Sequence, residues 1–365
     1  MEISLEQIKG KKVVVYNASY RTNPFGVKNL LFEKSPSNGE HTGITPYLYG
    51  ECLKNGIQLL TPDIYLNFRS ELPKAILVRD DCISNDTEFL INTGLHPAVL
   101  MVIEGPIYPV RFFYNLKKET AYFDHTFMAG GAVKSVSPKT KFHPFVCPQS
   151  YTREDIVPGN FNRPKYLSLI SANKRIHKLR RLYSGIMNLA HPLPTFTNIE
   201  LYKERLKLIE YFSYDPAFDL YGHDWQKPVR YTFGRYNKNI KASYRGEVAN
   251  KFKTLQNYKF NLSFENCVYG GYITEKIIDA MFAGSIPTYL GAPDISSYVP
   301  SSCFVDFRNF KNLKELDHYL KNMSKSTYMG YVENIVKFLN SEDYYEKFSK
   351  EKHAERLISI FKSYF

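Results

Sequence analysis

The sequence is poor in the features that mark several classes of protein. Cysteine is scarce and scattered, with five residues at positions 52, 82, 147, 267 and 303. No Cys-x-x-Cys pair occurs, which argues against a zinc knuckle and against a disulfide framework. A reducing compartment is the simpler setting for such cysteines. No apolar run approaches the ~20 residues of a spanning helix. The opening residues, MEISLEQIKGKK, hold no apolar stretch of the secretory kind. Internal repeats and low-complexity tracts are missing as well. With 44% hydrophobic and 23% charged residues, the composition is that expected of a soluble globular chain, long enough for two domains of ordinary size.

Tyrosine, phenylalanine and positive charge are abundant. There are 29 Tyr and 26 Phe, enough to furnish sugar-stacking surfaces as well as cores. The formal net charge is +12, a balance that suits nucleic acid, an anionic membrane or an anionic small substrate. The basic residues cluster. One group includes Arg163, Lys165, Lys174, Arg175, Lys178, Arg180 and Arg181, and a second runs from Lys227 to Lys253. No recognisable nucleic-acid-binding module accompanies them.

Short apolar strands alternate with helical segments, which predicts parallel α/β sheets. Lys12–Asn17, Ile57–Leu60, Lys74–Val78 and His96–Ile103 read as strands. Thr45 with Pro46 opens a helix, with proline at its first position. Residues 23–43 read as loop, and residues 142–162, rich in proline, as an interdomain linker. Tyr166–Ser171 reads as a strand followed by a basic helix from about His177 to Leu189. Tyr344–Phe365 is amphipathic, and packing on the protein or lying on an anionic membrane would both suit it.

The most informative stretch is residues 258–291, YKFNLSFENCVYGGYITEKIIDAMFAGSIPTYLG. Tyr258–Phe264 alternates apolar and polar residues as a strand does. Asn266, Gly270 and Gly271 permit a turn with positive φ. Thr274 is an N-cap candidate, with Glu275 and Lys276 in the first helical turn. Ile277, Ile278, Met281 and Phe282 form a buried stripe, and Gly284 suits a C′ stop. Ser285–Leu290 returns as a strand. A helix start after a glycine-containing loop presents free N–H groups to an anion. Lys276 runs against the helix dipole, which makes sense where an anion sits before it. The plainer reading is a surface lysine on an ordinary βαβ unit.

This stretch resembles the C-terminal signature of the α1,3-fucosyltransferases of bacterial type, glycosyltransferase family 10. Glu265, Asn266, Tyr272, Thr274, Glu275 and Lys276 stand in register with it, as do Pro287, Gly291, Phe304, Val305, Asp306 and Phe310. The likeness is dense here and looser over most of residues 100–345. It implies an α/β fold of GT-B type, two Rossmann-like domains facing across a cleft. The expected division is residues 1–160 for the acceptor, 161–345 for GDP-fucose, and 346–365 as a terminal amphipathic helix.

The resemblance also implies roles. Glu104 stands before Gly105 and Pro106, where the family usually has Glu-Ser-Pro, and is the expected catalytic base. Partial burial would raise its pKa toward that task. Arg180 is the expected diphosphate contact, with Arg181 the alternative, since guanidinium forks match phosphate oxygens. Asn266, Tyr272, Glu275 and Lys276 complete the donor site, and His125 is a candidate for the acceptor side. Asp81 in RDDC and Asp224 in GHDW form no Asp-x-Asp, so no metal ligand is assigned and no obligatory cofactor is expected, Mn2+ or Mg2+ being at most stimulatory. The expected reaction is inverting transfer of L-fucose from GDP-β-L-fucose to O3 of GlcNAc or Glc, on a lipopolysaccharide O-antigen or an N-acetyllactosamine unit. Another nucleotide sugar on the same scaffold, or nucleic-acid binding, are the alternatives. The expected setting is cytoplasmic, with peripheral contact to the inner membrane through the terminal helix.

Overall fold

The computed structural model of the protein describes residues 4–18, 28–32, 43–72, 74–83, 86–174, 199–227 and 238–365. The apolar runs build two all-parallel sheets, each at the centre of its own α/β unit, as the GT-B class requires. The first unit comprises residues 1–104, 109–150 and 347–365, and the second residues 105–108 and 151–346.

In the first unit the strands are β1 (Lys12–Asn17), β2 (Ile57–Leu60), β3 (Ile76–Asp80), β4 (His96–Val102), β5 (His125–Met128) and β6 (Lys141–Pro144). Their order is β2-β1-β3-β4-β5-β6. Strands buried on both faces explain the runs of Val, Ile and Leu. Three sequence-based boundaries shift. β3 starts two residues later than expected. The start of the expected linker is an edge strand, where Pro144 at its end costs no ladder bond. The helix expected to open at Pro46 spans Ile44–Lys54 with Gly43 as N-cap, so proline stands in its first turn, where its missing N–H has no intrahelical partner anyway.

The terminal helix also belongs to this unit. Ser349 caps Lys350–Lys362, its Oγ accepting from Lys352 N at 3.1 Å. Ala354, Leu357, Ile358 and Phe361 are buried in one cluster with Val14, Val78, Val99 and Phe127 from the sheet. The apolar side is thereby used inside the protein. Any contact of this helix with an anionic membrane falls to its basic outer residues. Among the described residues, no helix is long and apolar enough to cross a membrane.

Two histidines of the first unit couple its stability to pH. His353 is buried beside Phe145, with ring centroids 5.2 Å apart. Burial, and after it the charge of Arg356, pulls the His353 pKa down to about 4. His143 stacks on Phe127 at 4.4 Å and is likewise pulled down to about 4, first by burial and then by His125. The unfolded chain takes up these protons near pH 6.5 and the folded chain does not. The stabilisation is therefore complete above that pH and lost as pH falls toward 4, by about 3 kcal/mol for the buried His353. Thermal melts at pH 7 and pH 4.5 should show a smaller acid-induced drop for His353→Phe than for wild type. Equal drops would show that His353 titrates normally.

In the second unit the strands are β7 (Lys165–Ile170), β8 (Phe218–Tyr221), β9 (Tyr258–Phe264), β10 (Ile286–Leu290) and β11 (Val305–Asp306), in the order β11-β10-β9-β7-β8. The order reverses between β7 and β9, and ligands of open α/β sheets bind outside the carboxyl ends of strands at such a switch point. β9 is the central strand and is buried almost throughout. Its alternating pattern therefore does not mark an exposed face. The polar members bond inside the sheet: Asn261 Nδ2 donates to Ser168 Oγ at 2.9 Å, and Ser263 Oγ donates to Asn261 Oδ1 at 2.9 Å.

Candidate active site

The chain leaves β9 at Phe264 and enters helix Glu275–Phe282 after ten intervening residues. Of the residues expected to permit positive φ in this loop, Gly271 adopts it, at 69°, and its N–H donates to Asp294 Oδ1 at 2.9 Å. Gly284 has φ 71° and ends the helix as expected, and a β-carbon there would lie 2.2 Å from the Val157 carbonyl.

Glu265, fully buried at the end of β9, organises the head of the helix. Its Oε1 accepts from Thr274 N at 2.8 Å, and its Oε2 accepts from Thr274 Oγ1 at 2.8 Å and from Lys276 Nζ at 3.1 Å. Lys276 Nζ also donates to Thr274 Oγ1 at 2.7 Å. Thr274 holds the N-cap position, but its hydroxyl makes no cap bond to the helix backbone. The anion that Lys276 calls for is thus supplied first by the chain itself. A carboxylate at this end also suits the dipole. An ammonium has three donors, and among the described residues Lys276 commits two of them to hydrogen bonds. Its side chain stays 18% exposed. Burial pulls its pKa down, and Glu265 with Glu275 outweighs burial, so the ammonium is held above the usual lysine range.

A second cation lies beside this one. Helix Tyr202–Phe212 buries Arg205, Leu208, Ile209 and Phe212 along one face. Arg205 Nη2 donates to Asn266 Oδ1 at 2.9 Å, and Nη1 to Ser171 Oγ at 2.8 Å. Asn266 Nδ2 in turn donates to Tyr272 Oη at 3.3 Å. The guanidinium therefore bridges the carboxyl ends of β7 and β9, at the switch point. Burial pulls its pKa below the usual arginine range, against the charges and phenols around it. A small open pocket lies beside it, lined by Ser171, Asn173, Tyr202, Arg205 and Trp225. Sequence reasoning missed Arg205. The available signal was an arginine on the apolar stripe of an amphipathic helix.

The expected residues fall as follows. Asn266, Tyr272, Glu275 and Lys276 gather in the second unit around that switch point. Arg180 and Arg181 lie outside the described residues. Glu104 follows β4 in the first unit and is exposed, so the partial burial expected of it is not found. Its charge, after burial, helps push the Cys82 thiol up. The next residue, Gly105, packs so closely that a β-carbon would lie 2.8 Å from Cys267 Sγ and 3.1 Å from the Tyr272 ring. A side chain at this place would have to displace the Cys267 sulfur. His125 bonds to His143 at 3.0 Å, the packing role a histidine more often has. Among the described residues, no three His, Cys, Asp or Glu side chains converge as a metal site.

The family model "Glycosyltransferase family 10 (fucosyltransferase) C-term" matches residues 195–355. Residues 195–355 are thus similar to glycosyltransferase family 10. Arg205, Glu265, Asn266, Tyr272, Glu275 and Lys276 all lie within the matched region. The alpha-(1,3)-fucosyltransferase FucT of Helicobacter pylori is 38% identical over 119 residues, 32% of this chain and 24% of that protein. The human 4-galactosyl-N-acetylglucosaminide 3-alpha-L-fucosyltransferase 9 is 31% identical over 142 residues, 38% of this chain and 33% of that protein. The matched parts thus span about a quarter to a third of these relatives. Among solved structures, an alpha-glucosyltransferase in complex with UDP and a 13-mer DNA containing a HMU base superposes with a TM-score of 0.53. It covers 96% of this chain and 99% of its own at 10% identity, a likeness of fold.

Proposed function

We propose that the protein is an α1,3-fucosyltransferase that moves L-fucose from GDP-β-L-fucose to a glycan hydroxyl with inversion. The observation that carries this reading is the paired cation site at the β7/β9 switch point. Two buried or nearly buried cations, Lys276 and Arg205, stand beside a helix start inside the region similar to family 10. Buried ion pairs are weak evidence for stability, so their presence here asks for another purpose. Among the described residues, both keep donors beyond those they spend on Glu265, Thr274, Ser171 and Asn266. A departing diphosphate is the group such donors suit.

In the reaction we assign, Glu104 takes the proton from the acceptor hydroxyl as its oxygen attacks the fucose anomeric carbon. The bond to GDP breaks as the new bond forms, and Lys276 and Arg205 stabilise the charge that grows on GDP. Arg205 thereby joins Arg180, which lies outside the described residues, as a diphosphate contact. Asn266, held by Arg205 and Tyr272, is positioned for the diphosphate or fucose, and Glu275 with Tyr272 for hydroxyl or amine groups of the donor. The acceptor we favour presents O3 of GlcNAc or Glc, as in an N-acetyllactosamine unit or a lipopolysaccharide O-antigen. The test is incubation with GDP-fucose and a panel of glycan acceptors, read by mass spectrometry. Addition of one deoxyhexose, inhibited by GDP and not by UDP, is expected. Transfer from GDP-mannose or a UDP-sugar instead would assign a different donor.

A further inference from the structure

The same site holds a third cation whose place the reaction leaves unexplained. Glu275 and Asp279 stand four residues apart on helix Glu275–Phe282, so they share a face. Asp279 is fully buried, which is costly for a carboxylate without a partner. Lys251 Nζ, from the short helix Lys251–Leu255 ahead of β9, pairs with it. That ammonium lies 3.7 Å from Glu275 Oε1, and Lys276 Nζ lies 3.8 Å from the same oxygen. Glu275 is thus flanked by two ammoniums, one fixed by Glu265 and the other by Asp279. An acid that takes hydroxyl or amine groups of the donor close to its diphosphate needs such neutralisation, because like charges repel.

We propose that Lys251 is a positioning residue that acts on the donor through Glu275, with Asp279 as the anchor that holds Lys251 in place. The proposal rests on reading the site as one for a nucleoside diphosphate. It predicts that Lys251 matters for donor affinity rather than for the chemical step. Asp279 would then serve the site from one helical turn below it, without touching the donor. Lys251 has no such duty if it merely compensates a buried charge.

The two possibilities separate in a double-mutant cycle read by GDP calorimetry and by steady-state kinetics. Lys251→Met alone leaves Asp279 buried without its lysine and is expected to lower the melting temperature. The pair Lys251→Met with Asp279→Asn removes that problem and keeps Glu275. The pair should bind GDP roughly tenfold more weakly than wild type, the effect of losing one charged contact. KM for GDP-fucose should rise by a similar factor, with kcat little changed. In a Glu275→Gln background the same pair should have no further effect on GDP affinity. Wild-type affinity in the pair, or an equal loss with Glu275 already replaced, overturns the role of Lys251. Wild-type protein that binds no GDP overturns both this role and the donor-site reading on which it rests.

Discussion

Lys276→Ala is expected to lower kcat/KM for GDP-fucose by roughly a hundredfold, about 3 kcal/mol of transition-state stabilisation. The reasoning starts from the geometry at the head of helix Glu275–Phe282. The ammonium is fixed by Glu265 and Thr274, so its remaining donor is held in place before any ligand arrives. A charge that is already oriented costs no reorganisation when negative charge develops on GDP. Removing it has a second effect, because Glu265 is left as an unpaired buried carboxylate. Breaking a buried pair from one side destabilises by about 3–5 kcal/mol. Melting curves must therefore accompany the kinetics. The double change Glu265→Gln with Lys276→Met keeps the interior neutral and should regain stability without regaining turnover. Normal turnover in a folded Lys276→Ala protein would take this lysine out of the reaction.

Glu104→Gln should all but abolish transfer, by a factor of about a hundred or more, while leaving GDP affinity as it was. A glutamine keeps the shape and hydrogen-bonding reach of the side chain but accepts no proton at neutral pH. Glu104 is exposed, and surface changes of this size usually alter stability by no more than about 0.5 kcal/mol. A kinetic loss can then be read as chemistry and not as unfolding. Calorimetry with GDP and initial rates on the same preparation make the comparison. Transfer retained at wild-type rate would move the base to another residue.

How far the sequence disclosed all this depends on the kind of signal. Strand β9, its loop, the helix and β10 were legible because a 3.6-residue apolar stripe, a threonine before it and Gly284 after it agree with one another. Lys276 was legible because it offends the helix dipole. Its partner was not, since Glu265 is eleven residues away and a contact of that kind has no local pattern. Arg205 was hidden for a related reason. Its meaning lies in Ser171 and Asn266, which only the parallel pairing of β7 with β9 brings together. The alternation in Tyr258–Phe264 marked the strand as expected, but not the burial of its polar side. It marks polar residues bonded within a buried sheet and not a solvent face, and periodicity alone treats the two alike.

The placement of Lys350–Lys362 has a consequence for biogenesis. Residues 151–346 form one uninterrupted stretch of the second unit, so that stretch can complete its own core while synthesis is still under way. The sheet built from residues 12–144 emerges earlier yet waits longest. Leu357 and Phe361, which seal one side of it, follow the whole of the second unit along the chain. Until then Val14, Val78 and Val99 lack the apolar cover that this helix supplies.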